Sequence, residues 1–152
     1  MTGVQTCALP IYDASGHYAL GIALNSQGKR DDAIAEYREA IRLRPDYPEA
    51  HCNLGHVLRA QGNYAGSLAM LRRGHELGTK KPGWRYPSAR WVADAERLAA
   101  LAERLPALLR GEDRPADEAE RLAFADLCYR NQFHAAAARL FDEALRDRKS
   151  VV

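Results

Sequence analysis

Apolar residues recur along this chain at the three- and four-residue spacing of a helical face, and the whole pattern returns after about 34 residues. ASGHYALGIALNSQGKRDDAIAEYREAIRLRPDY fills 14 to 47, and PEAHCNLGHVLRAQGNYAGSLAMLRRGHELGTKK fills 48 to 81 with no gap. Leu20 and Gly21 fall in register with Leu54 and Gly55, Gly28 with Gly62, Ala33 with Ser67, Tyr37 with Leu71, and Ala40 with Gly74. Each block predicts two antiparallel helices. Gly21, Ala33 and Ala40, then Gly55, Ser67 and Gly74, suit crossings where helix axes approach to roughly 8 to 10 Å. Leu20, Leu24, Ile34, Tyr37, Ile41 and Leu43, then Leu54, Leu58, Leu68, Leu71 and Leu77, are the predicted filling between helices. Gly28 and Gly62 end the first helix of each block, where a left-handed backbone favours glycine. Pro45 closes the first block, and Pro48 with Glu49 suits the first turn of the next.

Beyond residue 81 the period slips. PGWRYPSARWVADAERLAALAERLPALLRGEDRPAD, 82 to 117, is about two residues longer than one block and lacks its glycine and alanine positions. Trp91, Ala95, Leu98, Leu101 or Ala102, and Leu105 still predict a helix, with Ser88 as its cap and Glu96, Glu103 and Arg104 facing out. Pro106 is expected to end or kink it. AERLAFADLCYRNQFHAAAARLFDEALR then restores the pattern, with Ala125, Cys128, Ala137, Phe141, Ala144 and Leu145 at packing positions.

These blocks resemble tetratricopeptide repeats. The resemblance implies an all-α fold, a right-handed α-solenoid of antiparallel helix pairs with about seven to eight helices. Its units are 14–47, 48–81, a divergent 82–117 and a partial 118–146. The runs PGWRYPSARWV, ERLPALLRGEDRPADEAERL and HAAAARLFDEAL are similar to repeat arrays of large bacterial serine/threonine protein kinases. No glycine-rich phosphate loop, VAIK-type lysine, HRD or DFG stands in this chain, so a kinase parent would carry catalysis elsewhere. The first eleven residues, MTGVQTCALPI, and the last six, DRKSVV, resemble translated sequencing adapter. Residues 12–146 are therefore read as the native repeat domain, an internal piece of a longer protein. Residues 1–11 and 147–152 are set aside as one sets aside a tag.

Charge adds little to this picture. The chain has 22 Lys plus Arg against 20 Asp plus Glu, and without Asp147, Arg148 and Lys149 the balance is 20 against 19. No strong field for nucleic acid or membrane follows. Of three cysteines, Cys7 lies in the adapter-like start, which leaves Cys52 and Cys128 far apart in predicted helices. That is the usage of a reduced compartment, and the expected location is cytoplasmic. No apolar run reaches the roughly 20 residues of a bilayer span, so no membrane contact is expected.

Candidate chemistry is sparse. His51, Cys52 and His56 lie close in sequence but lack the further ligand a metal site needs, and neither metal nor cofactor is expected. No nucleophile-base order, carboxylate pair or nucleotide fingerprint occurs, so no catalytic residue is assigned. Arg72, Arg73, Lys80, Lys81, Arg85 and Arg90 form a basic stretch interleaved with Trp84 and Tyr86. It supports an alternative, a nucleic-acid-binding helical repeat. The simpler reading has the cations at a helix end and the aromatics pinning a loop, and no nucleic acid is expected.

Stacked units create a groove lined mainly by the first helix of each. The resemblance implies that this groove receives an extended peptide or a helix of a partner protein, which makes the chain an interaction scaffold. Helix position puts Ser15, Tyr18, Ile22 and Asn25 of the first unit there, with Glu49, Cys52, His56 and Arg59 of the second. Repeats that grip a C-terminal carboxylate carry Lys and Asn one turn apart where this chain has Tyr18 and Ile22. Asn53 occupies a further clamp position common in generic repeats, and no such clamp is expected. A last unit without a capping helix predicts bare apolar surface near Leu140, Phe141 and Leu145, and self-association through it.

Overall fold

A computed structural model of the chain describes residues 13–149, with side chains to 146. Seven helices run through the described residues: α1 (Ala14–Ser26), α2 (Arg30–Leu43), α3 (Pro48–Ala60), α4 (Tyr64–Thr79), α5 (Ser88–Arg110), α6 (Glu118–Arg130) and α7 (His134–Lys149). They pack as consecutive pairs, α1 with α2, α3 with α4 and α6 with α7. The adapter-like start lies outside the described residues. Of 147–152, only 147–149 fall inside, as the end of α7.

The same turn closes α1, α3, α5 and α6. Gly28 takes φ 77°, its N–H bonds the Asn25 carbonyl at 3.0 Å, and the Lys29 N–H bonds Leu24 at 3.0 Å. Together they satisfy carbonyls left open at the helix end. Gly62 (φ 82°) does the same with Arg59 and Leu58, and Gly111 (φ 77°) with Leu108 and Ala107. The fourth copy has no glycine. Gln132 stands there at φ 64°, its N–H on Tyr129 and that of Phe133 on Cys128.

The described chain divides into two compact bodies, one up to Ala93 and one from Asp94. In the first, a Cβ at Gly21 would come within 2.7 Å of the Tyr37 ring, and one at Gly55 within 2.7 Å of Leu71. Gly74 is tighter, with Cys52 Sγ inside contact distance and the Pro48 carbonyl at 3.0 Å. The backbones meet where the sequence puts its small residues. Ala33, Ile34, Tyr37, Leu54, Val57 and Leu58 form the central cluster, with Tyr18, Leu24, Ile41 and Met70 packed on it.

Two residues of the first body expected in the core are not there. Leu20 is 48% exposed although its counterpart Leu54 is buried. Residues next to one another on a helix point about 100° apart. Gly21 faces Tyr37, so Leu20 is turned to the side on which α3 finds α2, and no described helix offers α1 that neighbour. Leu43, also exposed, is the last residue of α2, one turn past the crossing at Ala40.

α5 straddles the boundary between the bodies. Pro106 does not end it; the helix runs on to Arg110 and stops at Gly111. Leu105 and Leu108, on either side of the proline, are buried while Pro106 itself is exposed. In the second body Arg104 is partly exposed, as expected, but not free. It binds Asp113 at 2.8 Å, Glu120 and the Arg114 carbonyl, and so ties the loop before α6. Asp117 caps α6 through the Glu120 N–H at 2.7 Å. On α7 Ala137, Leu140 and Ala144 are buried at helical spacing toward α6, so Leu140 is not bare as expected; Phe141 and Leu145, expected at packing positions, lie one step round the helix and are exposed.

Candidate partner-binding site

The first helices of the two intact pairs, α1 and α3, touch one another in the first body. Asn53 of α3 donates its amide to the Tyr18 hydroxyl of α1 at 3.0 Å and also acts on the Tyr37 hydroxyl. The Tyr18 ring lies 4.9 Å from that of Tyr47 and 6.0 Å from that of Tyr37. Arg44 places its guanidinium 4.0 Å above Tyr47 and donates to Ser15 Oγ at 2.6 Å.

A second group of rings follows α4. Trp84 packs against Gly78, where no Cβ would fit, and its indole N–H donates to Ser88 Oγ at 2.9 Å. Ser88 Oγ also lies 2.8 Å from His75 Nδ1. The hydroxyl expected to cap α5 thus holds the loop instead. Tyr86 stands 4.8 Å from Trp84 and 6.0 Å from Trp91, and Trp91 meets His56 edge-on at 4.7 Å.

Both groups border one cleft. Tyr18, Glu49, Cys52, Asn53, Trp84, Tyr86 and Trp91 line it. Three of the eight expected groove residues, Tyr18, Glu49 and Cys52, belong to it, and Cys52 is almost fully buried against Gly74. Ser15, Ile22 and Asn25 are exposed on α1, while His56 and Arg59 are half-buried on α3. Asn53, Trp84, Tyr86 and Trp91 are not among the expected groove residues. Asn53 stands out in the sequence only as a clamp-type position, and the signal for Trp84, Tyr86 and Trp91 is the aromatic density of WRYPSARW. Trp84 pins the loop as the sequence suggests, but Tyr86 remains 53% exposed on the cleft.

Electrostatics argue against a reactive centre here. Burial, then Tyr47, Tyr86, Tyr37 and Glu49, push the Tyr18 phenol up to about 12. Burial and Glu49 likewise push the Cys52 thiol up to about 12, so it stays protonated and a poor nucleophile at neutral pH. Burial, with Arg59, lowers His56. The His51, Cys52 and His56 side chains diverge: His51 Nε2 meets the Pro45 carbonyl at 3.0 Å, Cys52 meets Gly74, and His56 meets Trp91. Within the basic stretch, Arg73 and Lys80 both bind Glu76, at 2.9 and 2.8 Å.

Helix pairs, repeated closing turns and a first-helix face define an all-helical repeat protein. Residues 21–62 match the family described as TPR repeat, and residues 52–80 match tetratricopeptide repeat. Residues 21–80 thus carry tetratricopeptide repeats. Over 65 residues it is 35% identical to a protein named probable biofilm formation methyltransferase WspC from Pseudomonas putida. The match covers 43% of this chain and 15% of that relative. The similarity found is thus to a protein named as a methyltransferase, and not to the kinase arrays that the tail led one to expect. Among the described residues no helix is long and apolar enough to cross a membrane.

Proposed function

We propose that this chain is a non-catalytic interaction module that binds an extended peptide or helix of a partner protein along the α1–α3 face of its first body. The observation that carries the reading is the aromatic cleft lying on that face, within and next to the matched repeats. Tetratricopeptide repeats generally serve as protein-interaction modules. Aromatic side chains are also the usual anchors of an interface, because each buries a large area for few rotatable bonds. The module belongs to a larger bacterial protein, in which any catalysis, kinase or other, lies outside the repeats.

The test is binding of a partner or selected peptide to the chain and to a double variant, Tyr18→Ala with Arg59→Ala. The reading expects at least about a tenfold loss, the scale of one interface hot spot. Unchanged affinity, or binding mapped wholly outside the α1–α3 face, contradicts it.

A further inference from the structure

The cleft bordered by Tyr18, Trp84, Tyr86 and Trp91 is shaped for one kind of side chain. Its rings come from α1, the loop after α4, and α5. Trp84 and Tyr86 meet at 58°, and Tyr86 and Trp91 at 42°. Rings so tilted are not stacked flat on one another, and all three border the cleft. The cavity measures only about 30 Å³, far below the roughly 300 Å³ at which small-molecule and cofactor sites begin. It suits the head of a single side chain.

The charge at this cleft has one sign. Among the described residues, Glu49 is its one acidic lining residue and none that lines it is basic. Aromatic faces carry negative potential and attract cations lying within about 6 Å of the ring centre. The chain already uses this contact next door, where Arg44 sits over Tyr47, itself in contact with Tyr18.

We infer that this cleft receives a basic side chain of the partner, the ammonium of lysine, free or methylated, or the guanidinium of arginine, with the rings as walls and Glu49 as counter-charge. The inference deepens the proposed function and rests on it for the partner's being a peptide. It adds a sequence requirement, a cationic residue at the position that meets Tyr86.

NMR on the whole labelled chain tests this with four probes. These are the blocked single amino acids lysine, trimethyl-lysine and arginine, and the neutral tert-butyl isostere of trimethyl-lysine. The indole N–H signals of Trp84 and Trp91 should shift saturably with the three cations, and the isostere should bind about three- to thirty-fold more weakly than trimethyl-lysine. Tyr86→Ala, at an exposed position that leaves the core intact, should abolish the shifts. Glu49→Gln should weaken the cations and leave the isostere unchanged. An isostere that binds as well as the cation overturns the inference, as do indole signals indifferent to every cation. If peptides still bind the α1–α3 face in that case, the proposed function survives and only the cation pocket falls. Cation binding with no peptide binding would instead leave the pocket standing and remove the proposed function.

Discussion

Asn53 and Tyr18 join the two first helices through a single hydrogen bond, amide to hydroxyl, at 3.0 Å. Asn53 thereby commits its amide to a phenol of its own chain rather than to the C-terminal carboxylate that a clamp would grip. Removing the amide leaves Tyr18 half-buried without that partner. Asn53→Ala should cost about 1 kcal/mol, and Tyr18→Phe a similar or smaller amount. Because both changes remove one shared bond, the double variant should cost less than the sum of the two by at least about 0.5 kcal/mol in urea unfolding. Strict additivity would show that the bond contributes nothing.

Gln132 occupies a position that three other closing turns give to glycine. A side chain in the left-handed region costs roughly 1–2 kcal/mol, partly offset by the greater freedom of an unfolded glycine. Gln132→Gly should therefore stabilise the second body by about 0.5–1 kcal/mol. Gly62→Ala should destabilise the first body by about 1 kcal/mol or more. Hydrogen exchange of α6 and α3 amides reads the two bodies separately, and a destabilising Gln132→Gly would contradict the turn assignment.

Gly74→Ala forces a methyl group against Cys52 Sγ and the Pro48 carbonyl. Overpacking of this kind costs about 1–3 kcal/mol. Pairing it with Cys52→Ala removes the sulfur but not the carbonyl, so the double variant should recover part of the loss and not all of it. Thermal unfolding that is indifferent to Gly74→Ala would mean the α3–α4 crossing is looser than described.

His51 and His56 titrate below the ordinary value of 6.5, mainly because burial disfavours their charged forms. With folded values lower than unfolded ones, the unfolded chain takes up protons first as pH falls. Stability should then be full above about pH 6.5 and decline below it, until the folded histidines protonate as well. Urea midpoints between pH 7.5 and pH 5 should fall, and His51→Gln should flatten that slope. A slope unchanged by the substitution would remove His51 as its source.

The repeat was legible because its turns and crossings depend on residue types with a narrow physical purpose. Gly28 and Gly62 mark the left-handed position, and Gly21, Gly55 and Gly74 mark close approach. Gln132 was not legible, since glutamine has no preference for that backbone and only the surrounding turn imposes it. Pro106 misled for the opposite reason: its propensity favours a break, but Leu105 and Leu108 bury on either side of it and the helix continues. The site was legible in part. Helix position found Tyr18 and Glu49, whereas Trp84 and Tyr86 follow no period and reach the cleft only because Gly78 and Ser88 seat the Trp84 ring.

The central claim is that partners lie on the α1–α3 face. A photo-crosslinking residue placed in turn at Ile22, Tyr86, Arg38 and Ala69, with a peptide selected on the immobilised chain, tests it most directly. Arg38 and Ala69 line a separate cleft on the α2–α4 side. Binding on the α1–α3 face predicts crosslinks from positions 22 and 86 and none from 38 and 69. Crosslinks confined to positions 38 and 69, or equal from all four, would contradict it.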